Sequence, residues 1–403
     1  MKMNKNILIW GASVKGKETY EILCQSLSLK ILAFGDNDIN KHNRKFCGKR
    51  IINAEDLDTL EGLDLIIIAS VSSSEIKKKL KCIVDVPIYE NVYEFINIRA
   101  SIDISGWCNA HCKWCATGIK NNQRCIEEKY MSFEKFKEIY NHLIDSSIIF
   151  NDNELLLYSW GEPYLNPDCL KIYEYLSQQG QVFSISTNAS VLKLALNAYT
   201  YKKCKTITFS MSGFYQKSYG KIHGFNVEKI KKNIVNFVNN IRKCGFCGEF
   251  LLSYHVYQFN QDEIVEAKKF ADSLNMKFIP VYALFASYEM AYKYLMNTLQ
   301  YDILKEAGKD MILFYLEELL KKRPANYSCL LENMISINTD GNIELCCCSD
   351  DSVKDYEWGS VLNIKSVNEW KILRKRMLRC STCKECEELG IGYWCCNSKM
   401  YHC

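Results

Sequence analysis

One short segment contains three cysteines whose spacing suits metal binding. Cys108, Cys112 and Cys115 form a C-x-x-x-C-x-x-C pattern. Thiolates are the natural ligands of iron in iron–sulfur clusters, so three of them can hold three irons of a cubane [4Fe–4S] cluster. The fourth iron would then lack a protein ligand and would be free to bind a substrate or a cofactor. Zinc binding and chance clustering in a chain with 21 cysteines are the alternatives.

A second candidate metal region lies near the end of the chain, where ten of the 21 cysteines follow residue 328. Cys329 and Cys346 flank a hairpin predicted around Asp340-Gly341. Cys383 and Cys386 come later in a C-x-x-C step, which suits two ligands of one metal centre. A hairpin and a short helix that bring these pairs together would complete a four-thiolate site, for an iron–sulfur cluster or for zinc.

The composition restricts the class of protein. A chain of 403 residues with 48% apolar residues is expected to form two or three domains with real cores. The net charge of +4, from 51 basic and 47 acidic residues, predicts no nucleic-acid or membrane-surface partner. The first apolar run is too short for a signal peptide and no stretch could span a bilayer, so we expect a cytoplasmic protein. The oligomeric state stays open.

The central part of the chain alternates strand-like and helical runs. The strand-like runs are Ser101–Ser105, Glu154–Ser159, Gln181–Thr187, Thr206–Met211, Glu249–Val256 and Lys277–Tyr282. This order predicts an α/β fold, an open, partial TIM-like (β/α)6 barrel, over residues 98–300. In such a fold the chemistry lies at the carboxyl ends of the strands.

Polar motifs follow the first four predicted strands. In chain order they are the cysteine loop, Trp160-Gly-Glu-Pro163, Thr187-Asn188 and Ser210-Met-Ser-Gly213. Each motif alone is a weak signal, but four at consecutive strand ends are hard to explain as coincidence. The sequence therefore predicts one site at this end of the barrel. His223 and His255 also lie near strand ends, and we interpret them as hydrogen-bonded structural groups.

These motifs resemble those of the radical S-adenosylmethionine (SAM) superfamily. In that family the three cysteines hold a [4Fe–4S] cluster whose open iron binds SAM, and SAM is cleaved reductively to a 5′-deoxyadenosyl radical. The resemblance implies SAM contacts at Trp160, Gly161, Glu162, Pro163, Asn188, Ser210 and Ser212. Trp160 replaces the first glycine of the family's Gly-Gly-Glu-Pro motif, and Ser212 replaces an aspartate.

The Cys-rich region 326–403, which follows a predicted helical connector at 301–325, resembles the auxiliary-cluster extensions called twitch and SPASM. It implies one auxiliary [4Fe–4S] cluster on Cys329, Cys346, Cys383 and Cys386. The SPASM closing pattern C-x2-C-x5-C-x3-C is absent, and a second auxiliary cluster is the alternative, on Cys380, Cys395, Cys396 and Cys403. The expected cofactors are SAM and two or three clusters, reduced by a donor of the flavodoxin or ferredoxin type.

Residues 1–97 predict a Rossmann-like parallel sheet, because short buried-strand patterns alternate with helical ones. Gly11, Ser13 and Gly16 occupy the positions of a G-x-G-x-x-G turn, and Asp36 lies where a ribose-binding acid would. Ser13 replaces the glycine that lets the backbone approach a pyrophosphate. The segment is similar to small Rossmann-like domains at the front of sugar-modifying enzymes. A nucleotide or nucleotide-sugar pocket and a docking domain without a ligand are equally open.

These resemblances imply a radical SAM enzyme of the oxidoreductase type that abstracts hydrogen from a substrate C–H bond. The auxiliary cluster would bind the substrate or accept an electron. Maturation of a peptide or protein is slightly preferred over dehydrogenation or epimerisation of a nucleotide sugar or surface-glycan precursor. The alternative from another class is a non-catalytic zinc or iron–sulfur redox sensor, but such a protein would not need the motif at 160–163.

Overall fold

The computed structural model describes residues 5–24, 29–92, 95, 99–124, 127–146, 148–195, 197–325, 327, 329–349 and 358–399. The chain divides into two compact units. The first consists of Met1–Ile98, Leu143–Asn153 and Ser366–Trp370, and the second of the remaining residues. Within the described part of the chain, no helix is long and apolar enough to cross a membrane.

The first unit is built on a six-stranded sheet. Its strands are β1 (Lys5–Trp10), β2 (Leu29–Gly35), β3 (Lys45–Phe46), β4 (Lys49–Ile52), β5 (Leu65–Ile68) and β6 (Ile88–Tyr89). They lie in the order β3-β4-β2-β1-β5-β6, and all pairs are parallel except β3 with β4. The central strands are runs of branched apolar residues such as Leu65–Ile68, which is fully buried as expected for a parallel sheet covered on both faces. Helices α1 (Val14–Leu23) and α2 (Ser73–Leu80) belong to this unit.

The second unit contains an eight-stranded sheet. Its strands are β7 (Arg99–Ile102), β8 (Leu155–Leu156), β9 (Phe183–Thr187), β10 (Cys204–Met211), β11 (Glu249–Val256), β12 (Lys277–Tyr282), β13 (Met334–Ile337) and β14 (Ile343–Glu344). Strands β7 to β12 are parallel neighbours in chain order. Strand β13 joins β7 in parallel and forms an antiparallel hairpin with β14. This confirms the predicted hairpin and shows that it extends the same sheet.

Helices connect and follow these strands. They are α3 (Ala116–Asn122), α4 (Phe133–Asp145), α5 (Cys169–Gln179), α6 (Gln216–Ile222), α7 (Val227–Lys243), α8 (Ile264–Ser273), α9 (Tyr288–Leu295), α10 (Tyr301–Asp310), α11 (Leu313–Lys321), α12 (Val367–Met377), α13 (Ser381–Leu389) and α14 (Ile391–Asn397). In α7 the buried residues, among them Ile230, Ile234, Phe237 and Ile241, recur at three- and four-residue steps, so one stripe faces the core.

The parallel α/β character predicted from the sequence is confirmed in both sheets. Three of the six predicted central strands are shorter than expected, since β9 begins at Phe183, β7 ends at Ile102 and β8 covers only Leu155–Leu156. Here the backbone N–H of Trp160 donates to the carboxylate of Asp103 at 3.0 Å. A carboxylate thus holds the turn that follows β8.

Candidate functional site

The cysteine loop and the ends of several parallel strands line one cavity of about 280 Å³ in the second unit. Among its lining residues are the predicted ones Cys108, Cys112, Cys115, Trp160, Gly161, Glu162, Asn188 and Ser210. Pro163 and Ser212 do not line it. Ser212 is fully buried, and its hydroxyl has no hydrogen-bond partner within the described residues. The structure therefore brings together residues from all four strand-end motifs, but not Pro163 or Ser212.

The cysteine loop packs tightly against helix α3, which begins directly after it. The side-chain amide of Asn121 donates to the carbonyl of Cys108 and, at 2.6 Å, to that of Ala110. A Cβ atom on Gly118 would lie 2.2 Å from the carbonyl oxygen of Cys112, so only glycine allows this approach. The loop conformation is thus fixed by the helix that follows it.

A carboxylate far along the chain also holds the loop. Asp310, at the end of α10, lies 2.7 Å from the ammonium of Lys113 and accepts a hydrogen bond from the indole N–H of Trp114 at 3.1 Å. Glu306 provides a second acceptor for Lys113 at 3.0 Å. No local pattern connects these residues, because almost two hundred positions separate them.

Glu162 connects its turn to the end of β9. Its buried carboxylate accepts hydrogen bonds from the hydroxyl of Thr187 and the backbone N–H of Asn188, both at 2.7 Å. Burial raises the pKa of Glu162 to about 7, and these hydrogen bonds oppose the rise. Its neighbour Gly161 is required sterically, since a Cβ there would lie 1.4 Å from the carbonyl oxygen of Ser105.

Asp103 is a functional candidate that the sequence analysis did not identify. It is 4% exposed and accepts hydrogen bonds from the backbone N–H groups of Trp160 and Ser105. Burial raises the pKa of Asp103 to about 6, and hydrogen bonds from backbone N–H groups oppose the rise. The signal in the sequence was the position of this acid in the middle of the predicted strand Ser101–Ser105.

Two imidazoles, those of His223 and His255, also line the cavity. His223 is 5% exposed, and its Nδ1 atom has no hydrogen-bond partner within the described residues. Burial, together with the neighbouring His255, lowers the pKa of His223 to about 3. Burial lowers the pKa of His255 to about 4. Both imidazoles are therefore uncharged at neutral pH.

The cysteines of the C-terminal region interact with one another. Burial raises the pKa of Cys383 to about 12, and the neighbouring thiols of Cys380 and Cys346 contribute. A hydrogen bond from Cys348 lowers the pKa of Cys346 to about 6. A Cβ on Gly392, in α14, would lie 3.5 Å from the sulfur of Cys329 and 3.7 Å from that of Cys386. The missing side chain thus leaves space beside two of the four predicted auxiliary ligands.

The cysteines assigned to a second auxiliary cluster are only partly described. Cys395 and Cys396 lie in α14, and the thiol of Cys348 is hydrogen-bonded to that of Cys395. Cys380 caps α13, where its sulfur accepts the backbone N–H of Cys383 at 3.4 Å. Cys403 lies outside the described residues.

A buried cation supports this region and was also missed from the sequence. Arg374 is 6% exposed, and its guanidinium donates to the carbonyls of Leu331 at 2.7 Å, Glu332 at 2.9 Å and Leu345. These carbonyls adjoin Cys329 and Cys346 in the chain. Burial raises the pKa of Cys329, and the positive charge of Arg374 opposes that rise. Arg374 therefore fixes two cysteine segments and favours their thiolate forms.

Within the described residues, no three or more His, Cys, Asp or Glu side chains are arranged so that they could hold a metal ion. A cubane cluster makes a different demand on the protein, because each thiolate binds its own iron.

In the first unit, the predicted nucleotide-binding residues make contacts among themselves. A Cβ on Gly16 would lie 1.9 Å from the carbonyl oxygen of Gly11, and Gly11 itself has φ +124°, so both glycines are required by the turn. Ser13 precedes α1 without a side-chain capping bond. The carboxylate of Asp36 accepts the backbone N–H of Ala12 and lies 2.9 Å from the ammonium of Lys41. The predicted ribose acid is thus already paired within the protein.

A comparison with protein-family models finds a match within the second unit. Residues 102–271 match the family model described as "Radical SAM superfamily". This segment is similar to radical SAM domains. The match confirms the coarse prediction and supports a [4Fe–4S] cluster and SAM as the cofactors of an enzyme. It covers all four strand-end motifs, the cysteine loop among them.

Other comparisons extend beyond the radical SAM domain. Residues 3–91 match a model described as "C2185-like, N-terminal". No curated protein matches the sequence.

Solved structures that resemble the chain include three proteins, all of low identity. SuiB of Streptococcus suis, bound to precursor peptide SuiA, is 14% identical with a TM-score of 0.48, covering 72% of this chain and 71% of SuiB. The protein anSMEcpe with bound AdoMet is 13% identical with a TM-score of 0.45, covering 73% and 84%. TYW1 with a lysine-pyruvate adduct is 12% identical with a TM-score of 0.34, covering 56% and 71%.

Proposed function

We propose that the protein is a radical SAM enzyme in which Cys108, Cys112 and Cys115 hold the [4Fe–4S] cluster and SAM occupies the cavity beside them. The observation that carries this proposal is the shared cavity, which three cysteines and residues from the three later strand-end motifs line together. When bound, the cluster and SAM supply a 5′-deoxyadenosyl radical that takes hydrogen from an unactivated C–H bond.

The residues of the cavity suit this cofactor pair. Three thiols are the donor set of a cluster with one open iron. The amide of Asn188 lies 3.6 Å from the sulfur of Cys108 and 3.1 Å from the side-chain oxygen of Asn109, so it supports the loop at its cavity face. Trp114, Ile222, Tyr257 and Leu284 provide apolar walls that keep water away from a radical.

Glu162 already accepts hydrogen bonds within the protein, so a contact with SAM must be compatible with them. Both carboxylate oxygens already accept hydrogen bonds, from Thr187 and from backbone N–H groups. A carboxylate has about four acceptor positions, so capacity remains for the amino group of SAM. We propose that Glu162 both positions the turn and contacts SAM, together with Trp160, Gly161, Asn188 and Ser210. Pro163 and Ser212 would act only through the backbone that they stabilise.

We further propose an auxiliary [4Fe–4S] cluster on Cys329, Cys346, Cys383 and Cys386. The support is the interaction among these thiols, the space left by Gly392 and the buried cation Arg374, which offsets the negative charge of a four-thiolate cluster. The finer fold proposal is a partial (β/α)6 barrel with a Rossmann-like unit before it. A donor of the flavodoxin or ferredoxin type would reduce the clusters.

The substrate class that we propose is a peptide or protein, with oxidation of a C–H-bearing carbon as the reaction type. This preference rests on the similarity of the C-terminal cysteine pattern to extensions of peptide-maturing enzymes. The nucleotide-sugar alternative has less support, because Asp36 is paired with Lys41 and with the backbone N–H of Ala12.

Two cysteine substitutions test the proposal. Cys112→Ala should abolish reductive cleavage of SAM, whereas Cys383→Ala should retain cleavage but form no product. After anaerobic reconstitution the wild type should contain about eight irons per chain and each variant about four. Exposed Cys247 provides the matched control, since Cys247→Ala should change neither quantity. Full SAM cleavage by Cys112→Ala would contradict the assignment of Cys108, Cys112 and Cys115 to the SAM-binding cluster.

A further inference from the structure

Trp160 links the cavity of Cys108, Cys112 and Cys115 to the turn that contains Cys346. It lines the cavity that contains Cys108, Cys112 and Cys115. Its indole N–H donates at 3.0 Å to the backbone carbonyl of Ser349, which directly follows Cys346, Cys347 and Cys348 in the chain. Glycine, the family residue that Trp160 replaces, could not make this bond.

The backbone that carries Trp160 is held firmly. Its N–H donates to the buried carboxylate of Asp103 at 3.0 Å. The next residue, Gly161, lies so close to the carbonyl of Ser105 that no side chain fits. The N–H of Glu162 then donates to the carbonyl of Trp107 at 2.9 Å. The indole therefore projects from a turn that cannot easily shift.

The acceptor also lies in a well-defined turn. The N–H and the hydroxyl of Ser349 both donate to the carbonyl of Cys346, at 3.1 Å and 2.7 Å. The N–H of Cys346 lies 3.2 Å from the hydroxyl oxygen of Ser349. We call residues 346–349 the cysteine turn. Because these bonds close the turn on itself, a tether at Ser349 restrains Cys346 as well.

We propose that Trp160 is a positioning residue that fastens the cysteine turn to the wall of the cavity and so sets the environment of the C-terminal cluster. This inference rests on the proposed function in one respect, namely that the C-terminal cysteines hold an iron–sulfur cluster. The hydrogen bond belongs to the protein itself, so its effect is measurable without cluster or SAM. Trp160 thus joins the cavity of the first three cysteines to the cysteine turn through a hydrogen bond that glycine could not supply.

The first experiment measures amide hydrogen exchange of the cysteine turn in cluster-free protein. Trp160→Phe keeps an aromatic ring but removes the N–H donor, and exchange at residues 346–349 should accelerate by about 3- to 10-fold, the effect of losing one hydrogen bond. Trp160→Tyr retains a donor on the ring and should exchange at an intermediate rate. Equal rates in Trp160→Phe and wild type would overturn the proposal, as would equal rates in the Phe and Tyr variants.

Trp10 offers a matched control in the first unit. Its indole N–H is buried without a partner in the described part of the chain, so Trp10→Phe removes no hydrogen bond. This variant should leave exchange at residues 346–349 unchanged. Acceleration there equal to that in Trp160→Phe would mean that any loss of a tryptophan loosens the turn, and the proposal would fail.

The second experiment examines the C-terminal cluster alone, in protein with Cys108, Cys112 and Cys115 replaced by Ala. Adding Trp160→Phe should change the electron paramagnetic resonance spectrum and the reduction midpoint potential of that cluster. An identical spectrum and potential would overturn the proposal. Failure of the wild type to cleave SAM would contradict the proposed function but would leave both measurements valid.

Discussion

Buried polar side chains in and beside the cavity act in two different ways. Asp103 and Glu162 accept hydrogen bonds from backbone N–H groups and so hold the strand ends in position. His223 instead has an Nδ1 atom without a partner in the described part of the chain. An unsatisfied buried polar atom is costly, and native sites often satisfy such atoms with a ligand or ordered water. Both acids therefore serve the architecture, Glu162 in addition to its proposed contact with SAM, while Nδ1 of His223 is available to an occupant of the cavity.

The two buried histidines predict loss of stability in acid. Their folded pKa values, about 3 and about 4, lie below the unfolded value of about 6.5. Stability is therefore complete above about pH 6.5 and falls as the pH decreases towards the folded values, since only the unfolded chain takes up protons there. When the pH falls from 7.5 to 5.0, each histidine should lower the free energy of unfolding by about 2 kcal/mol. His223→Phe should remove the contribution of this histidine to the loss of stability, as measured by urea unfolding at both pH values.

Tyr219 provides the control for this pH dependence. Its ring packs edge-on against His223 at 4.8 Å, and its hydroxyl is buried without a partner in the described part of the chain. Tyr219→Phe should leave the difference in stability between the two pH values unchanged, because no group that titrates in this range is removed. An undiminished acid loss in His223→Phe would contradict the assignment of a neutral buried imidazole.

At the scale of residues, the motif residues could be predicted from the sequence, but the side chains that hold them in place could not. Glu162 stands in a recognisable motif, so its position in the cavity followed from the sequence. Arg374 stands in a basic stretch that is typical of an exposed helix face, yet it is buried against three carbonyls. Asp310 meets Trp114 only in the folded chain. Local patterns carry no signal for such distant partners.

At the scale of elements, glycine positions decide how closely helices approach the cysteine loop. Gly118→Ala in α3 would place a Cβ 2.2 Å from the carbonyl oxygen of Cys112. The helix and the loop would have to separate, so we expect a loss of about 1–3 kcal/mol of stability. We also expect lower iron content in the first cluster. Urea unfolding and iron analysis in a Cys383→Ala background would measure both effects.

Gly308 in α10 is the matched control for Gly118. It is also a helical glycine, but a Cβ there would meet nothing within 4 Å. Gly308→Ala should therefore raise stability by about 0.5–1 kcal/mol, because alanine favours the helix. Equal effects of the two substitutions would show that backbone entropy, and not the close approach to Cys112, governs both positions.

Element positions were predicted better than element ends. Strands β11 and β12 have the predicted bounds, Glu249–Val256 and Lys277–Tyr282, since their alternating or apolar patterns have clear limits. Strand β8 covers only Leu155–Leu156 of its predicted run. The turn that follows is held by Asp103, whose carboxylate accepts the backbone N–H of Trp160. The local pattern carries no signal for this contact between distant segments.

At the scale of the whole molecule, the first unit is assembled from three separate chain segments. Phe150 belongs to it and packs against Phe95 with ring centroids 4.6 Å apart. The N–H of Val367 donates to the carbonyl of Ser146 at 3.1 Å. Residues 1–98 produced alone should therefore show weaker protection of the β1 and β5 amides from hydrogen exchange than the full chain does. Equal protection would mean that the later segments add nothing to the stability of the sheet.

The sequence by itself determined the cysteine spacings, the alternation of strands and helices and the order of motifs along the central segment. These features are local, and the parallel order of strands β7 to β12 then gathers the motifs at one edge. Only the tertiary structure decided that β13 pairs with β7 and that Trp160 reaches Ser349. Such contacts depend on how distant segments pack, and the side chains involved carry no periodicity or spacing that marks them as partners.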